Sequence, residues 1–150
     1  MKLKENSRPA EILLVEDNDD DVVLTEEGFR LSKLVVNLHR VENGVECMKF
    51  LRKEEPFADS PAPDLILLDL NMPIMNGREV LAELVKDELL NHLPVVVLTT
   101  AEEHSEIMDL YKMRVSSYIR KPVNFDEFLR AIQELGSYWF TLVVLPNNGD

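Results

Sequence analysis

The chain has 150 residues, 45% of them hydrophobic and 29% charged, which suits one globular domain with a real core and leaves too little for two. Its net charge of -12 repels phosphate backbones and argues against a nucleic-acid partner, whereas a cation or a basic protein patch fits it. One cysteine, Cys47, excludes an internal disulfide; with neither a signal-peptide run at Met1–Pro9 nor an apolar stretch long enough to cross a bilayer, a cytoplasmic protein is expected.

Glu11–Val15 is a compact apolar run, read as a first buried strand that ends in the acids Glu16 and Asp17. The acidic stretch continues through Asp19–Asp21 into a helix carrying Val22, Val23, Leu24, Phe29 and Leu31, and a helix N-terminus favours negative charge for purely structural reasons. Val35–Val41 alternates as a second strand, and Glu42-Asn43-Gly44 turns into a helix over Val45–Lys53, with Cys47 expected in its core face. Pro56–Pro63 reads as a surface loop. The next stretch, Asp64-Leu65-Ile66-Leu67-Leu68-Asp69, has four apolar residues in a row at its middle, and the chain is organised around it. It reads as a strand buried on both faces that ends in Asp69, followed by the loop chemistry of Asn71, Met72-Pro73 and Asn76-Gly77.

After Gly77 a helix is expected to about Leu90, with Val80, Leu81, Leu84 and Val85 at helical spacing. Val95–Leu98 is a fourth strand ending in Thr99-Thr100. Glu102–Met113 reads as a mostly polar helix, Tyr118–Lys121 as a fifth strand closed by Pro122, and Phe125 opens the last helix. Strand and helix alternate five times. That order predicts right-handed crossovers and an α/β fold, a doubly wound, five-stranded parallel sheet of flavodoxin-like type with an extended C-terminal segment.

Such a sheet gathers its strand ends on one edge, where ligand and reaction sites lie. Glu16, Asp17, Asp69, Thr99 and Lys121 all fall there. Taken singly, each has a plain structural reading: a cap, a strand hydroxyl, a solvated lysine. Together they suit a divalent cation bound by oxygen ligands, with magnesium the natural choice, and a transferred phosphoryl group held by a lysine and a hydroxyl.

Val15-Glu16-Asp17-Asn18, Leu68-Asp69-Leu70-Asn71-Met72-Pro73 with Asn76-Gly77, Leu98-Thr99, and Tyr118 with Lys121-Pro122 resemble the receiver domain of two-component response regulators over about Glu11–Leu135. The resemblance implies that Asp69 accepts a phosphoryl group from the phosphohistidine of a sensor histidine kinase. It implies Mg2+ held by Asp17, Asp69 and the backbone carbonyl of Asn71, with Glu16 acting through water. Lys121 would hold the phosphoryl oxygens, Thr99 would bond the phosphate, and Tyr118 would follow by changing rotamer. The face formed by the fourth helix, fifth strand and fifth helix would then change, and the Lys121–Pro122 bond would be cis. Two positions depart from the family: Arg114-Val115 stand where Gly-Ala is usual, and Thr100 replaces a small residue after Thr99.

Beyond Leu135 the chain continues Gly136-Ser137-Tyr138-Trp139-Phe140-Thr141-Leu142-Val143-Val144-Leu145-Pro146. Apolar residues from Phe125 to Val143 keep helical spacing across Gly136, so the helix can run on, while the β-branched residues also allow an extended end. The tail either folds back or buries Tyr138, Trp139, Phe140 and Leu142 against a second copy. Its ending looks like that of the stand-alone, homodimeric regulators of Rcp type paired with cyanobacterial phytochromes. The expected layout is therefore an N-terminal tail over 1–10, a receiver domain over 11–135, and a dimerisation segment over 136–150 with no DNA-binding output domain. The rival reading, an Asp-nucleophile phosphatase of haloacid dehalogenase type, needs a second Asp two positions after the nucleophile, where Asn71 stands. A nucleotide-binding module would need a Gly-rich loop after the first strand, where acids stand instead.

Overall fold

The structure, a computed structural model, describes residues 9–32, 34–99, 109, 112, 113, 115–120 and 125–142. In chain order these give β1 (Ala10–Val15), α1 (Asp19–Leu31), β2 (Val36–Val41), α2 (Gly44–Leu51), β3 (Leu65–Asp69), α3 (Gly77–Lys86), β4 (Val95–Thr99), β5 (Ser117–Arg120) and α4 (Phe125–Leu142). The strands form one parallel sheet in the order β2-β1-β3-β4-β5. This is the expected doubly wound arrangement, and β3 lies at its centre because its residues are apolar on both faces and buried throughout.

Alternation along the strands divides the core in two. Leu13, Val15, Ile66, Leu68, Val95 and Val97 face one layer with Cys47, Phe50, Val80, Leu81 and Leu84 of α2 and α3. Ile12, Leu14, Leu65, Leu67, Val96 and Leu98 face the other, with Val22 and Phe29 of α1 and Phe128 and Ile132 of α4. Each large aliphatic side chain buried in this way contributes about 1.5–3 kcal/mol. α1 and α4 approach closely at Gly28, where a Cβ would stand 3.2 Å from Phe128 Cε2 and 3.3 Å from Ile132 Cγ1.

Helix starts follow from capping chemistry. Asn18, Asn43 and Asn76 are the N-caps of α1, α2 and α3, and each side chain accepts from a backbone N–H three residues on. Asn76 and Glu79 complete a reciprocal capping box. The helix expected to reach Leu90 ends earlier, at Lys86. Asp87 stops it: its carboxylate accepts from Leu89 N–H at 2.9 Å, and the chain turns through 87–93 instead. Arg52 at the end of α2 reaches Glu83 at 3.4 Å and Asp87 at 3.3 Å, tying α2 to that stop. The expected helix over Glu102–Met113 lies outside the described residues apart from Asp109, Lys112 and Met113, and Lys121, Pro122, Thr100 and Arg114 also lie outside them. Among the described residues the cis peptide bond is Glu55–Pro56. Among them too, no helix is long and apolar enough to cross a membrane.

Candidate functional site

Strand register sets the site. Val15 pairs with Leu68, so Glu16, the next residue out of β1, is level with Asp69 at the end of β3. Asp69 pairs with Leu98, so Thr99 stands one residue beyond it on β4 and pairs in turn with Arg120. The carboxyl edge of the sheet therefore carries Glu16, Asp17, Asp69 and Thr99 on three adjacent strands. By alternation Asp69 follows Leu67 and Glu16 follows Leu14, so both carboxylates fall on the α1 and α4 side. Tyr118, paired with Val97, packs against the core on the α2 and α3 side.

One carboxylate oxygen from each of Glu16, Asp17 and Asp69 lies within 4.8 Å of the others. Glu16 is fully buried, Asp69 is 5% exposed, and Asp17 is open to solvent. Three carboxylates so close, two of them withdrawn from water, repel one another, and a hard cation relieves that repulsion. An all-oxygen donor set with one side open to water suits a magnesium-like ion, which keeps several of its waters. These residues therefore fit the divalent cation expected from the sequence.

The backbone holds the acids in place. Glu16 N–H donates to Val41 O at 3.0 Å, and Asn18 N–H donates to Glu16 Oε2 at 3.3 Å. Asn71 N–H donates to Asp69 Oδ1 at 3.1 Å, which fixes the turn after β3. The plain reading of Glu16 and Asp17 as helix caps does not hold, because Asn18 is the N-cap and Asp19–Asp21 supply the first turn's charge. Asp20 and Asp21 thus have a structural account, whereas Asp17 joins the cluster.

Two further residues shape the site. Arg40, near the end of β2, donates from Nε to Glu16 O and from Nη2 to Asp19 Oδ1, both at 2.9 Å. It clamps the segment that carries Glu16 and Asp17 between strand and helix. Sequence reasoning missed it, because nothing local marks an arginine on an edge strand as facing the neighbouring loop. Gly77, part of the Asn76-Gly77 motif, has a more definite role than that of turn residue. A Cβ there would lie 2.5 Å from Asp69 O and 2.8 Å from Leu70 Cα, so only glycine lets α3 start against the backbone of Asp69. Thr99 is 2% exposed at its strand end. Lys121 lies outside the described residues. Of Tyr138, Trp139, Phe140 and Leu142 the backbone is described: they occupy the last two turns of α4. Cys47 is fully buried, and desolvation pushes its thiol up to about 12, as suits a core residue.

The family model described as the response regulator receiver domain matches residues 12–133. Response regulator Rcp1 of Synechocystis sp. is 38% identical over 142 residues, covering 95% of this chain and 97% of its own. The crystal structure of the phosphorylated cyanobacterial phytochrome response regulator RcpA superposes with a TM-score of 0.84 at 38% identity, covering 93% of this chain and 100% of that one. The Mn2+-bound form of Rcp1 gives a TM-score of 0.82 at 38% identity, covering 92% and 99%.

Proposed function

The chain belongs to the response regulator receiver domain family, and from that premise we propose that it is a phosphoacceptor regulator whose Asp69 takes a phosphoryl group from the phosphohistidine of a sensor histidine kinase. The observation that carries this reading is the approach of Glu16, Asp17 and Asp69 oxygens within 4.8 Å at one sheet edge. In the transfer, a carboxylate oxygen of Asp69 bonds to phosphorus as the P–N bond breaks, and the imidazole nitrogen keeps the electron pair. Asp17, Asp69 and the Asn71 carbonyl are the proposed Mg2+ ligands, with Glu16 acting through water. When bound, Mg2+ would offset both the crowded carboxylates and the charge on the phosphoryl oxygens. That the related Rcp1 has been solved with Mn2+ supports a divalent cation of this kind.

Lys121 is proposed to hold the phosphoryl oxygens, and Thr99 to donate its hydroxyl to the phosphate. Tyr118 follows by changing rotamer, which alters the face made by the helix expected over Glu102–Met113, β5 and α4. A phytochrome-type kinase is the favoured donor, because the relatives at 38% identity include a phytochrome response regulator. The phosphatase reading loses ground at Asn71, whose amide cannot act as acid or base.

Residues 136–150 are proposed to pair two copies of the chain in the cytoplasm. The length of α4 supports this. It meets α1 at Phe128 and Ile132, near the end of α1, and then runs ten residues further to Leu142, about 15 Å at 1.5 Å per residue. The Tyr138-Trp139-Phe140 stretch lies in that added length. Labelling tests the central claim: Asp69→Asn should accept no phosphate from an autophosphorylated kinase or from acetyl phosphate while keeping its circular dichroism. Full labelling of that variant would refute the assignment.

A further inference from the structure

The loop that follows Asp69 holds a residue in a conformation that its side chain disfavours. Ile74 has φ 69, and Met75 N–H donates back to Pro73 O at 2.7 Å, so Ile74 is the centre of a three-residue γ-turn with positive φ. This turn type is rare and strained, and a β-branched residue is among the worst fitted to it. The loop does not relax because both of its sides are pinned. Gly77 N–H donates to Leu70 O at 3.1 Å, and Gly44 N–H donates to Met75 O at 2.9 Å. Gly44 has no room for a side chain: a Cβ would lie 2.6 Å from Met75 Cγ and 2.7 Å from Met75 O.

Ile74 gains little from packing in return. It is 80% exposed, with Pro73 exposed before it and Val45, beside the Gly44 anchor, 39% exposed. Asn or Gly would serve the turn better, and a polar residue would serve the solvent better. Strain of this kind, held in place by its surroundings, gathers at functional sites.

We propose that Ile74 is an apolar contact for the phosphodonor protein, presented at the mouth of the Asp69 site. The inference rests on the phosphoacceptor reading of Asp69. Asp69 is 5% exposed, and a histidine side chain is short, so a donor that brings its phosphoryl group to this carboxylate must bring its backbone down onto the surrounding loops. The loop from Asn71 to Asn76 follows Asp69 after one residue, and Ile74, 80% exposed, is the large aliphatic side chain it presents to solvent. A small phosphodonor makes no such contact.

That difference supplies the test. Phosphotransfer to wild type, Ile74→Asn and Ile74→Leu is timed with two donors, acetyl phosphate and an autophosphorylated sensor histidine kinase chosen for labelling the wild-type chain. Ile74→Asn should lower kcat/KM with the kinase by about tenfold, mainly through KM, the scale for losing one partly buried aliphatic contact. It should leave the acetyl phosphate rate unchanged and melt no lower than wild type, since Asn tolerates positive φ. Ile74→Leu should retain transfer from the kinase. Unchanged kinase kinetics in Ile74→Asn would overturn the proposal. So would an equal loss with both donors, which would mean that Ile74 only shapes the Asp69 loop. If neither donor labels the wild-type chain, the phosphoacceptor reading fails instead.

Discussion

Gly77→Ala would place a methyl carbon 2.5 Å from Asp69 O and 2.8 Å from Leu70 Cα. Both are backbone atoms at the end of the central strand, where Leu70 N–H is bonded to Leu98 O, so neither can swing aside like the tip of a flexible side chain. Two effects favour alanine: a less flexible unfolded chain, about 0.4–1 kcal/mol, and helix propensity, at most ~1 kcal/mol. Overpacking of a fixed site costs about 1–3 kcal/mol, and contacts this short lie at or above the upper end of that range. A net loss of roughly 1–2 kcal/mol follows, which at ~2–4 °C per kcal/mol for a chain of this size lowers Tm by about 2–8 °C. The clash is relieved by moving Asp69 and Leu70, and that shifts the carboxylate relative to Glu16 and Asp17. Labelling by acetyl phosphate with Mg2+ should slow by at least about tenfold, since misplacement by an ångström can cost more than that. Calorimetry and timed labelling read the two effects. A variant that melts at or above wild type and is labelled at the wild-type rate would refute the close approach.

Asp17→Asn should weaken Mg2+ binding far more than Asp20→Asn, because Asp17 joins the acid cluster whereas Asp20 lies in the first turn of α1; equal affinities by calorimetry would refute the cation site. Trp139→Ala should raise the dimer dissociation constant about thirtyfold, the scale of ~2 kcal/mol for an aromatic anchor, and a wild-type chain that sediments as a monomer at micromolar concentration would end the dimer reading. Cys47 should resist alkylation in the folded protein and react on unfolding. Burial raises its thiol from 9.0 to about 12, so the unfolded chain loses this proton at lower pH than the folded one, and the corresponding stability, complete below pH 9, should drain away as pH climbs towards 12. Denaturant midpoints between pH 8 and 11 for wild type and Cys47→Ala would show it, the variant losing less.

Much of this protein was legible in its residue order. The apolar runs at Ile12–Val15, Leu65–Leu68 and Val95–Leu98 are too short for helices and too uniformly apolar for a half-exposed sheet, so they dictated buried parallel strands. A parallel sheet puts its strand ends on one edge, and that alone brings Glu16, Asp17, Asp69 and Thr99 together. The caps were not legible in the same way: the acids Glu16 and Asp17 invited the cap reading, and the structure gives that role to Asn18, with Asn43 and Asn76 capping α2 and α3. The stop at Lys86 was not legible, because Val85, Leu89 and Leu90 continue a helical rhythm, whereas Asp87 turns extended and accepts from Leu89 N–H. Arg40, Gly77 and Ile74 were beyond the sequence for a different reason. Their roles rest on what neighbouring strands and loops bring within a few ångströms, and such distances are set by register and packing between segments far apart in the chain.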